Sequence, residues 1–214
     1  MDFLPQPITD YSEAHTEEEN ALLKKIVRET HLKVLMPRML SGHLQGRVLS
    51  MLSHMIKPKN ILEIGTYTGY SGLCLAEGLQ KEGKLITLDI NEELEELVQG
   101  FFDESEFKEQ IDYKIGNALE IIPTLNETFD LVFIDADKIN YINYFNLVID
   151  KVTTGGYIIA DNVLWSGKII PQEGKKIDTD TQALLDFNLS VHKDPSVQNV
   201  LLPIRDGLMI LRKL

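Results

Sequence analysis

From Asn60 onward, short apolar runs alternate with segments of helical pattern, and this alternation constrains the fold more strongly than any other feature of the chain. The runs ILEIG, KLITLD, IDYKIG, FDLVFID and GYIIAD follow one another at intervals of roughly 20 to 30 residues. Strands that are apolar almost throughout are typical of parallel sheets with helices on both faces. The pattern therefore predicts an α/β fold with a doubly wound, mostly parallel sheet, and it disfavours a barrel or a sandwich.

The last part of the chain has the pattern of an antiparallel hairpin. The segments VQNVLLPI and GLMILRKL flank Arg205, Asp206 and Gly207, which together are a turn signal. These two strands complete a predicted sheet of seven. A chain of 214 residues is long enough for one well-filled core and short for two, so residues 1–214 are predicted to form a single domain.

Two helices are predicted before the sheet. The pair Thr16 and Glu19 has the spacing of a capping box and predicts a helix that runs to about Thr30. A second helix is predicted to begin at Ser41 or at the glycine after it and to end before Pro58. Its apolar residues recur every three or four positions: Leu44, Val48, Leu52 and Met55.

Composition and charge exclude several classes of protein. The net charge of -12 disfavours nucleic-acid binding, because affinity for phosphate backbones comes largely from lysine and arginine. No apolar run approaches the roughly 18 residues of a membrane-spanning helix, and the acidic start lacks the features of a signal peptide, so a cytoplasmic location is expected. Cys74 is the only cysteine and lies in an apolar run, where a buried, inert thiol is expected.

The segment ILEIGTYTGYSG, residues 61–72, has the pattern of a strand, a tight glycine turn and the start of a helix. Gly65 allows a sharp turn off the strand, and Gly69 and Gly72 allow a close approach of the backbone to a ligand or to the sheet. The spacing G-x-x-x-G-x-x-G differs from the dinucleotide fingerprint and from the P-loop. The turn is therefore predicted to hold something other than phosphate.

Two acidic residues accompany this turn. Glu63 lies inside the first strand, and Asp89 closes the second strand, where a carboxylate can accept hydrogen bonds from both ribose hydroxyls of an adenosine. An adenosine bound without phosphates indicates S-adenosylmethionine as the ligand. The alternative is an ordinary α/β turn beside two solvated acids.

Oxygen-bearing side chains follow two consecutive strands at the points where they end. Asp135 follows FDLVFI, and Asp161 and Asn162 follow GYIIA. Neighbouring strands lie about 4.8 Å apart, so these oxygens can converge at the carboxyl edge of the sheet. Two carboxylates and an amide suit a hard cation, with Mg²⁺ preferred over Mn²⁺ or Ca²⁺, and do not suit zinc. For each strand end by itself, simple helix capping is the alternative.

The motifs ILEIGTYTGYS, LDIN, FIDADKINY and IIADNVLWSG, in this order and spacing, resemble those of the cation-dependent O-methyltransferases of the caffeoyl-CoA and catechol group, in a bacterial-type form. The resemblance covers the chain from about Met39 to Leu214. It implies a Rossmann-like class I fold, S-adenosylmethionine as methyl donor and a homodimer. It also implies that helices within residues 1–58 cover the donor site.

The resemblance also assigns roles to residues. Asp135, Asp161 and Asn162 match the metal ligands, and Lys138 matches the general base of catechol-type members. The positions that match donor-binding residues are Met39, Ser41, Glu63, Gly65, Thr66, Ser71, Asp89, Ala118, Asp135 and Asp137. Within this set, Asp89 would bind the ribose and Asp137 would lie near the methionyl amine.

The acceptor is expected to be a small phenol or catechol. Its hydroxyl must ionise to attack the methyl group, and a phenol with a pKa near 10 needs a shift of roughly 3 units, about 4 kcal/mol, which one divalent cation can supply. Lys138 is predicted to contact the acceptor, and a surface ion pair is its alternative role. Trp165 is predicted to stack on the acceptor, with packing against the sheet as the alternative.

One position departs from the resemblance and bears on the acceptor. The plant enzymes of the group carry asparagine at the position of Ser166, which contacts their phenolic substrate, so the resemblance does not extend to caffeoyl-CoA itself. Bacterial members accept various vicinal diols and phenols, and some methylate a hydroxylated uridine in tRNA. The tRNA activity is the alternative function here and would require a local basic patch near Lys168–Lys176. A donor-binding module without activity is disfavoured by the intact strand-end motifs.

Overall fold

The computed structural model describes residues 4–170 and 176–214, and these form one seven-stranded sheet with helices on both faces. The strands β1 to β7 are, in chain order, Asn60–Ile64, Lys84–Asp89, Ile111–Ile115, Phe129–Ile134, Val152–Ala160, Val197–Leu202 and Leu208–Lys213. Their order across the sheet is β3-β2-β1-β4-β5-β7-β6. Strands β1 to β5 are parallel, and β7 pairs antiparallel with both β5 and β6. The predicted doubly wound sheet with a C-terminal hairpin is confirmed.

The helices lie in two layers that bury opposite faces of the sheet. The helices α1 to α8 are Gln6–Ala14, Ala21–Lys33, His43–Ile56, Tyr70–Ala76, Glu95–Glu104, Ala118–Ile121, Tyr141–Val148 and Thr179–Lys193. One core cluster contains residues of α2 to α5 with Ile61 and Leu131 of the sheet, and the other contains residues of α6 to α8 with Leu62 and Val132. Successive strand residues point to opposite faces, so β1, β2, β4 and β5 contribute to both clusters and are mostly apolar, whereas the edge strand β3 is only partly buried and carries Asp112 and Lys114.

The residue that caps helix α2 differs from the predicted one. Asn20, and not Thr16, caps the N-terminus of α2 and accepts a hydrogen bond from the Leu23 amide. The Thr16 hydroxyl instead donates to the Ser12 carbonyl at the end of α1, a helix that the sequence pattern did not predict. The capping-box prediction is therefore wrong, because Thr16 is engaged by the preceding helix.

Helix α3 begins after Gly42, as predicted, but its buried face is not its most apolar one. Met55 is 73% exposed, and Leu44, Val48 and Leu52 are only partly buried. The residues that α3 buries are Gln45, Gly46, Leu49, Ser50 and Ser53. This helix is turned so that polar and small side chains reach helix α4 and the sheet edge.

Two smaller points concern Cys74 and the lengths of the helices. Cys74 is fully buried, as predicted, and burial raises the pKa of its thiol to about 12. None of the described helices is long and apolar enough to cross a membrane.

Glu63 is a fully buried acid inside β1. Its carboxyl oxygens accept hydrogen bonds from the Ser71 hydroxyl at 2.6 Å and the Thr87 hydroxyl at 2.5 Å. Gly72 packs so closely that an added Cβ would lie 2.7 Å from Glu63 Oε2. Burial raises the pKa of Glu63 to about 8, and the nearby carboxylates of Asp135 and Asp89 act in the same direction.

The raised pKa of Glu63 predicts a pH-dependent stability in the ligand-free protein. The folded state keeps a proton that the unfolded state, with its ordinary carboxyl pKa, releases, so the contribution is complete below about pH 4.5 and is lost as the pH approaches 8. Glu63→Gln should gain stability relative to the wild type by about 1.4 kcal/mol per pH unit between pH 5 and 8, measured by urea unfolding. The exposed control Glu92→Gln should show no such trend, and parallel curves for Glu63→Gln and the wild type would contradict the prediction.

Candidate functional site

The glycine turn after β1 brings three strand ends together. Gly65 has a φ of +102°, and a Cβ at this position would lie 2.0 Å from the carbonyl oxygen of Asp135, so only glycine fits. The Gly65 amide donates to the Leu88 carbonyl of β2, and the Asp135 amide donates to the Ile64 carbonyl of β1. The turn therefore lies directly beside Asp135, the first residue after β4.

Asp89 is held against the glycine turn by backbone groups. One carboxylate oxygen accepts from the Tyr67 amide at 2.6 Å, and the other accepts from the Asn91 amide at 2.9 Å. A carboxylate has about four lone-pair sites, so two remain for further donors. The position and this free capacity fit the predicted contact with a pair of ribose hydroxyls.

The segment before α3 covers the glycine turn. The Tyr67 hydroxyl donates to the Met36 carbonyl at 2.9 Å and thereby connects the turn to this segment. Within the segment Ser41 is buried, whereas Met39 is 57% exposed. The structure thus connects the predicted covering segment to the turn at Met36, and Ser41 within this segment is buried.

The remaining residues predicted to bind the donor lie in different surroundings. Ala118 is buried at the start of α6, just after β3. Glu63, Thr66 and Ser71 are buried within the hydrogen-bonded group that also includes Thr87, so their hydroxyl and carboxyl groups are already paired with one another. These hydrogen bonds support the turn. Direct contact of these side chains with the donor stays a prediction.

Asp137 lies beyond the end of β4 and is fixed by two side chains. It accepts hydrogen bonds from the Tyr144 hydroxyl at 2.5 Å and from the Asn140 amide at 2.6 Å. Burial, together with the Asp137 carboxylate, raises the pKa of the Tyr144 hydroxyl, which keeps it a donor. The predicted contact of Asp137 with a methionyl amine stays a prediction.

The predicted metal ligands come together at the ends of β4 and β5. Ile134 pairs with Ala160 in the sheet, so Asp135 and Asp161 leave neighbouring strands side by side. The ammonium of Lys138 donates to Asp135 Oδ1 at 3.2 Å and to Asn162 Oδ1 at 2.8 Å. One cationic group therefore already contacts oxygens from both strand ends.

Lys138 is almost entirely buried, with 8% of its surface exposed. It also donates to the Tyr141 hydroxyl at 2.6 Å, and that hydroxyl donates to the backbone carbonyl of Asp161 at 2.9 Å. The ion pair that was its alternative role does form, with Asp135, but the lysine is buried and does not lie at the surface. Tyr141 itself is fully buried, and its ring packs edge-on against Phe187, so it serves to hold Lys138 and not to cover a ligand.

Asp161 is an acid in an unfavourable position. Burial and then the negative charge of Asp135 raise its pKa, while hydrogen bonds oppose this shift. Gln45 of α3 donates to Asp161 Oδ2, and the Asn162 amide donates to Oδ1, both at 2.6 Å. The repulsion between two neighbouring carboxylates favours the binding of a cation beside them.

The donor set fits a hard divalent cation. The three side chains supply oxygen ligands only, which is the chemistry that Mg²⁺, Mn²⁺ and Ca²⁺ prefer. Within residues 4–170 and 176–214, no three histidine, cysteine or carboxylate side chains form a metal-binding group. A cation at this edge would accordingly depend on the amide oxygen of Asn162 and on further oxygens from water or a ligand.

The loop after β5 carries the residues predicted to contact the acceptor. Asn162, Trp165 and Ser166 have φ values of +60°, +46° and +53°, which are uncommon for residues other than glycine and cluster at functional sites. The Trp165 ring is partly buried, with the Lys138 ammonium 5.7 Å and the Lys168 ammonium 5.3 Å from its centre. Within the described part of the chain, its buried Nε1 has no hydrogen-bond partner. Trp165 thus packs on the core and borders the site at once.

Three residues at the site were missed by the sequence analysis. Gln45 was overlooked because it lies beside the apolar stripe of its helix, and Arg205 and Asp206 were assigned only to a turn. The Asp206 carboxylate accepts a hydrogen bond from the Ser166 amide, and Arg205 donates to the Leu40 carbonyl at 3.1 Å. No local signal in the sequence marked Gln45, because α3 buries a face other than its apolar stripe.

Comparisons with known proteins agree with this geometry. The sequence model of the O-methyltransferase family matches residues 12–214. Caffeoyl-CoA O-methyltransferase 1 of Arabidopsis thaliana is 36% identical over 180 residues, which cover 79% of this chain and 70% of the plant enzyme.

Solved structures give the same result. The SAH-bound methyltransferase PaMTH1 of Podospora anserina superposes with a TM-score of 0.90 at 27% identity and covers 100% of this chain and 99% of its own. The O-methyltransferase of Bacillus cereus in complex with SAH has a TM-score of 0.88 at 26% identity, with 97% of each chain covered. The chain therefore belongs to the O-methyltransferase family and is an enzyme of that class.

Proposed function

We propose that this enzyme transfers a methyl group from S-adenosylmethionine to a hydroxyl of a small catechol-like or phenolic acceptor, and that it requires a divalent cation, with Mg²⁺ preferred over Mn²⁺ or Ca²⁺. The observation that carries the proposal is that Asp135 and Asn162 both bind Lys138 beside the glycine turn, with Asp161 next to them at the end of β5. Oxygen ligands, a buried amine and a nucleotide-binding turn meet at one edge of the sheet.

The donor half of the proposal is supported by the crevice between the turn and β2. Asp89 has lone pairs free for ribose hydroxyls, and the covering segment with Ser41 closes over the same turn. The relatives from Podospora anserina and Bacillus cereus were crystallised with SAH, the demethylated form of the donor. A bound donor in this crevice would lie next to Asp135 and so next to the acceptor site.

In the acceptor half, Asp135, Asp161 and Asn162 would hold the cation. When bound, the cation supplies positive charge that favours the ionised form of an aromatic hydroxyl. After giving up its own proton to solvent, Lys138 Nζ would take the proton from that hydroxyl as general base, and the Tyr141 hydroxyl would hold the amine in place. Phenols suit this arrangement because their pKa lies near 10, whereas an aliphatic alcohol would require a far larger shift.

The wall formed by Trp165 and Ser166 borders the place where the acceptor would lie. A partly buried indole beside two lysine ammonium groups presents a flat apolar surface for an aromatic ring. Trp165 is accordingly proposed to stack on the acceptor and Ser166 to contact it. The sequence also predicts that the loop of residues 168–180 covers the pocket, and residues 171–175 of this loop lie outside the described residues.

The tRNA alternative receives no support from the relatives named above. The basic patch that it would require includes Lys168, which pairs with Asp178 at 3.2 Å, and Lys175, which lies outside the described residues. The net charge of -12 also opposes binding to a polyanion.

A homodimer, which the sequence resemblance implies, is proposed to form through the apolar side of α3 and the adjoining sheet edge. Met51, Met55 and Val200 are 62%, 73% and 48% exposed there. Leu52 and Met55 line a groove together with Tyr157 and Ile210 of β5 and β7. Exposed apolar residues clustered in this way are typical of surfaces that bind a partner.

The cation requirement is tested by Asp161→Asn together with EDTA. In the wild type, EDTA should abolish methyl transfer, Mg²⁺ should restore it, and Mg²⁺ should raise the melting temperature, because a bound ligand stabilises the folded state. Asp161→Asn should melt higher than the wild type without cation, since a buried repulsion is relieved, yet lose the rise with Mg²⁺ and more than 90% of activity, roughly the loss expected for a cation ligand. The surface variant Asp112→Asn is the control, and full wild-type activity in EDTA would refute the requirement.

Lys138→Met tests the general base. Turnover should fall by about 10²- to 10⁴-fold while SAH binding, measured by calorimetry, stays within about twofold, because the lysine acts on the acceptor proton. Lys168→Met is a matched control, since its ammonium also lies near the Trp165 ring but is exposed and paired with Asp178. Equal turnover in the Lys138 variant and the wild type would remove this residue as base.

Met55→Glu tests the dimer surface. A charge at this position should yield a monomer in size-exclusion chromatography with light scattering, because a buried unpaired carboxylate opposes association. Leu189→Glu, on a helix of the opposite face and 52% exposed, should leave the dimer intact. A monomeric wild-type protein at micromolar concentration would contradict the proposal.

A further inference from the structure

The turn between β6 and β7, residues 203–207, contacts both walls of the proposed site. It belongs neither to the glycine turn nor to the strand ends from which the site was predicted. On one side its residues bind the loop after β5. On the other side Arg205 binds the segment before α3. No part of the proposed chemistry uses this turn, so its contacts require a separate explanation.

The contact with the loop after β5 is continuous. The Val163 amide donates to the Gly207 carbonyl at 3.2 Å, and the Leu164 amide donates to the Asp206 carbonyl at 2.9 Å. The Ser166 amide then donates to the Asp206 carboxylate. A Cβ at Gly207 would lie 2.5 Å from Leu164 Cγ, so the two segments approach as closely as glycine permits.

This loop needs an external support. Three of its residues, Asn162, Trp165 and Ser166, have left-handed φ values, and such conformations persist only where the surrounding structure holds them. The side chain that binds the strained part directly is Asp206, which is half-buried and whose pKa is raised by that burial. Burial disfavours the charged form of this carboxylate. Its place beside the loop is therefore set by the backbone contacts of the turn.

The contact with the opposite wall comes from the neighbouring residue. Arg205 Nη1 donates to the Leu40 carbonyl at 3.1 Å and lies 3.4 Å from the Cβ position of Gly42. Leu40 and Gly42 flank Ser41, the buried residue of the covering segment. Two successive residues of one turn therefore bind the walls on either side of the crevice.

We propose that this turn is a brace in which Asp206 positions the acceptor wall and Arg205 positions the donor cover. The assignment of the two walls rests on the proposed function. Neither residue touches the reacting groups, so both act as positioning residues. The brace fixes how far Trp165 and Ser166 stand from the donor, and it is a determinant of acceptor specificity outside the acceptor pocket.

The acceptor arm is tested without catalysis by the fluorescence of Trp165, which is the only tryptophan of the chain. Asp206→Ala should shift the emission to longer wavelength and raise the acrylamide quenching constant about twofold, because the loop loses the carboxylate that holds it. Asp206→Asn should stay near the wild type, since its amide oxygen still accepts the Ser166 hydrogen bond.

Asp194→Ala is the matched control. Asp194 accepts a hydrogen bond from the Ser196 amide at 2.8 Å in the turn before β6, far along the strand from the site. This variant should leave the fluorescence unchanged. Wild-type quenching in Asp206→Ala would overturn the acceptor arm.

Kinetics and calorimetry separate the two arms. With catechol as acceptor, Asp206→Ala should raise the acceptor KM about tenfold and leave kcat and SAH affinity within twofold. Arg205→Met, which keeps the apolar stem, should weaken SAH about tenfold and leave the acceptor KM within twofold. Both variants weakening both ligands equally would overturn the proposal, because a general loss of structure predicts that result.

Two further results also decide between the proposal and its alternatives. If Asp206→Ala fails to fold, Asp206→Glu replaces it; its carboxylate stands one methylene further out and must raise the acceptor KM or the proposal is refuted. If the wild type methylates no phenol with any cation, the proposed function fails, while the tryptophan and SAH measurements still decide the brace.

Discussion

Two acids that end neighbouring strands, and the positive charge that lies against them, are the constraint on which the site depends. Asp161 is buried beside Asp135, so their mutual repulsion must be balanced, and the Lys138 ammonium does so through Asp135 and Asn162. The proposed cation would use these same oxygens. Its binding and the release of Lys138 from them are therefore expected to be linked, and the lysine would be freed where it is needed as a base.

Most of the fold could be predicted because the sheet is buried on both faces. Parallel strands covered by helices on both faces are apolar at most positions, and that pattern is visible in the sequence without any knowledge of partners. The capping residue of α2 was not predictable in the same way. Thr16 and Asn20 are both acceptable caps, and the choice depended on α1, whose weak pattern gave no signal.

The candidate site was predictable where its residues follow strands and obscure where they come from elsewhere. Asp135, Asp161 and Asn162 could be placed together because strand order and strand ends fix their positions. Gln45 could not, since α3 buries its polar side and leaves Met55 exposed, against the usual relation between hydropathy and burial. Contacts from the β6–β7 turn depend on long-range packing, which no local pattern encodes.

The order of the strands has a consequence for how this scaffold can diversify. The chain winds outward from β1 through β2 to β3 and then, in the other direction, from β4 through β5 to the hairpin. Loops that would recognise the nucleoside thus lie on one side of the boundary between β1 and β4, and loops that would select the phenol lie on the other side. Insertions, deletions and exchanges on the second side can alter what is methylated while the means of delivering the methyl group is inherited unchanged.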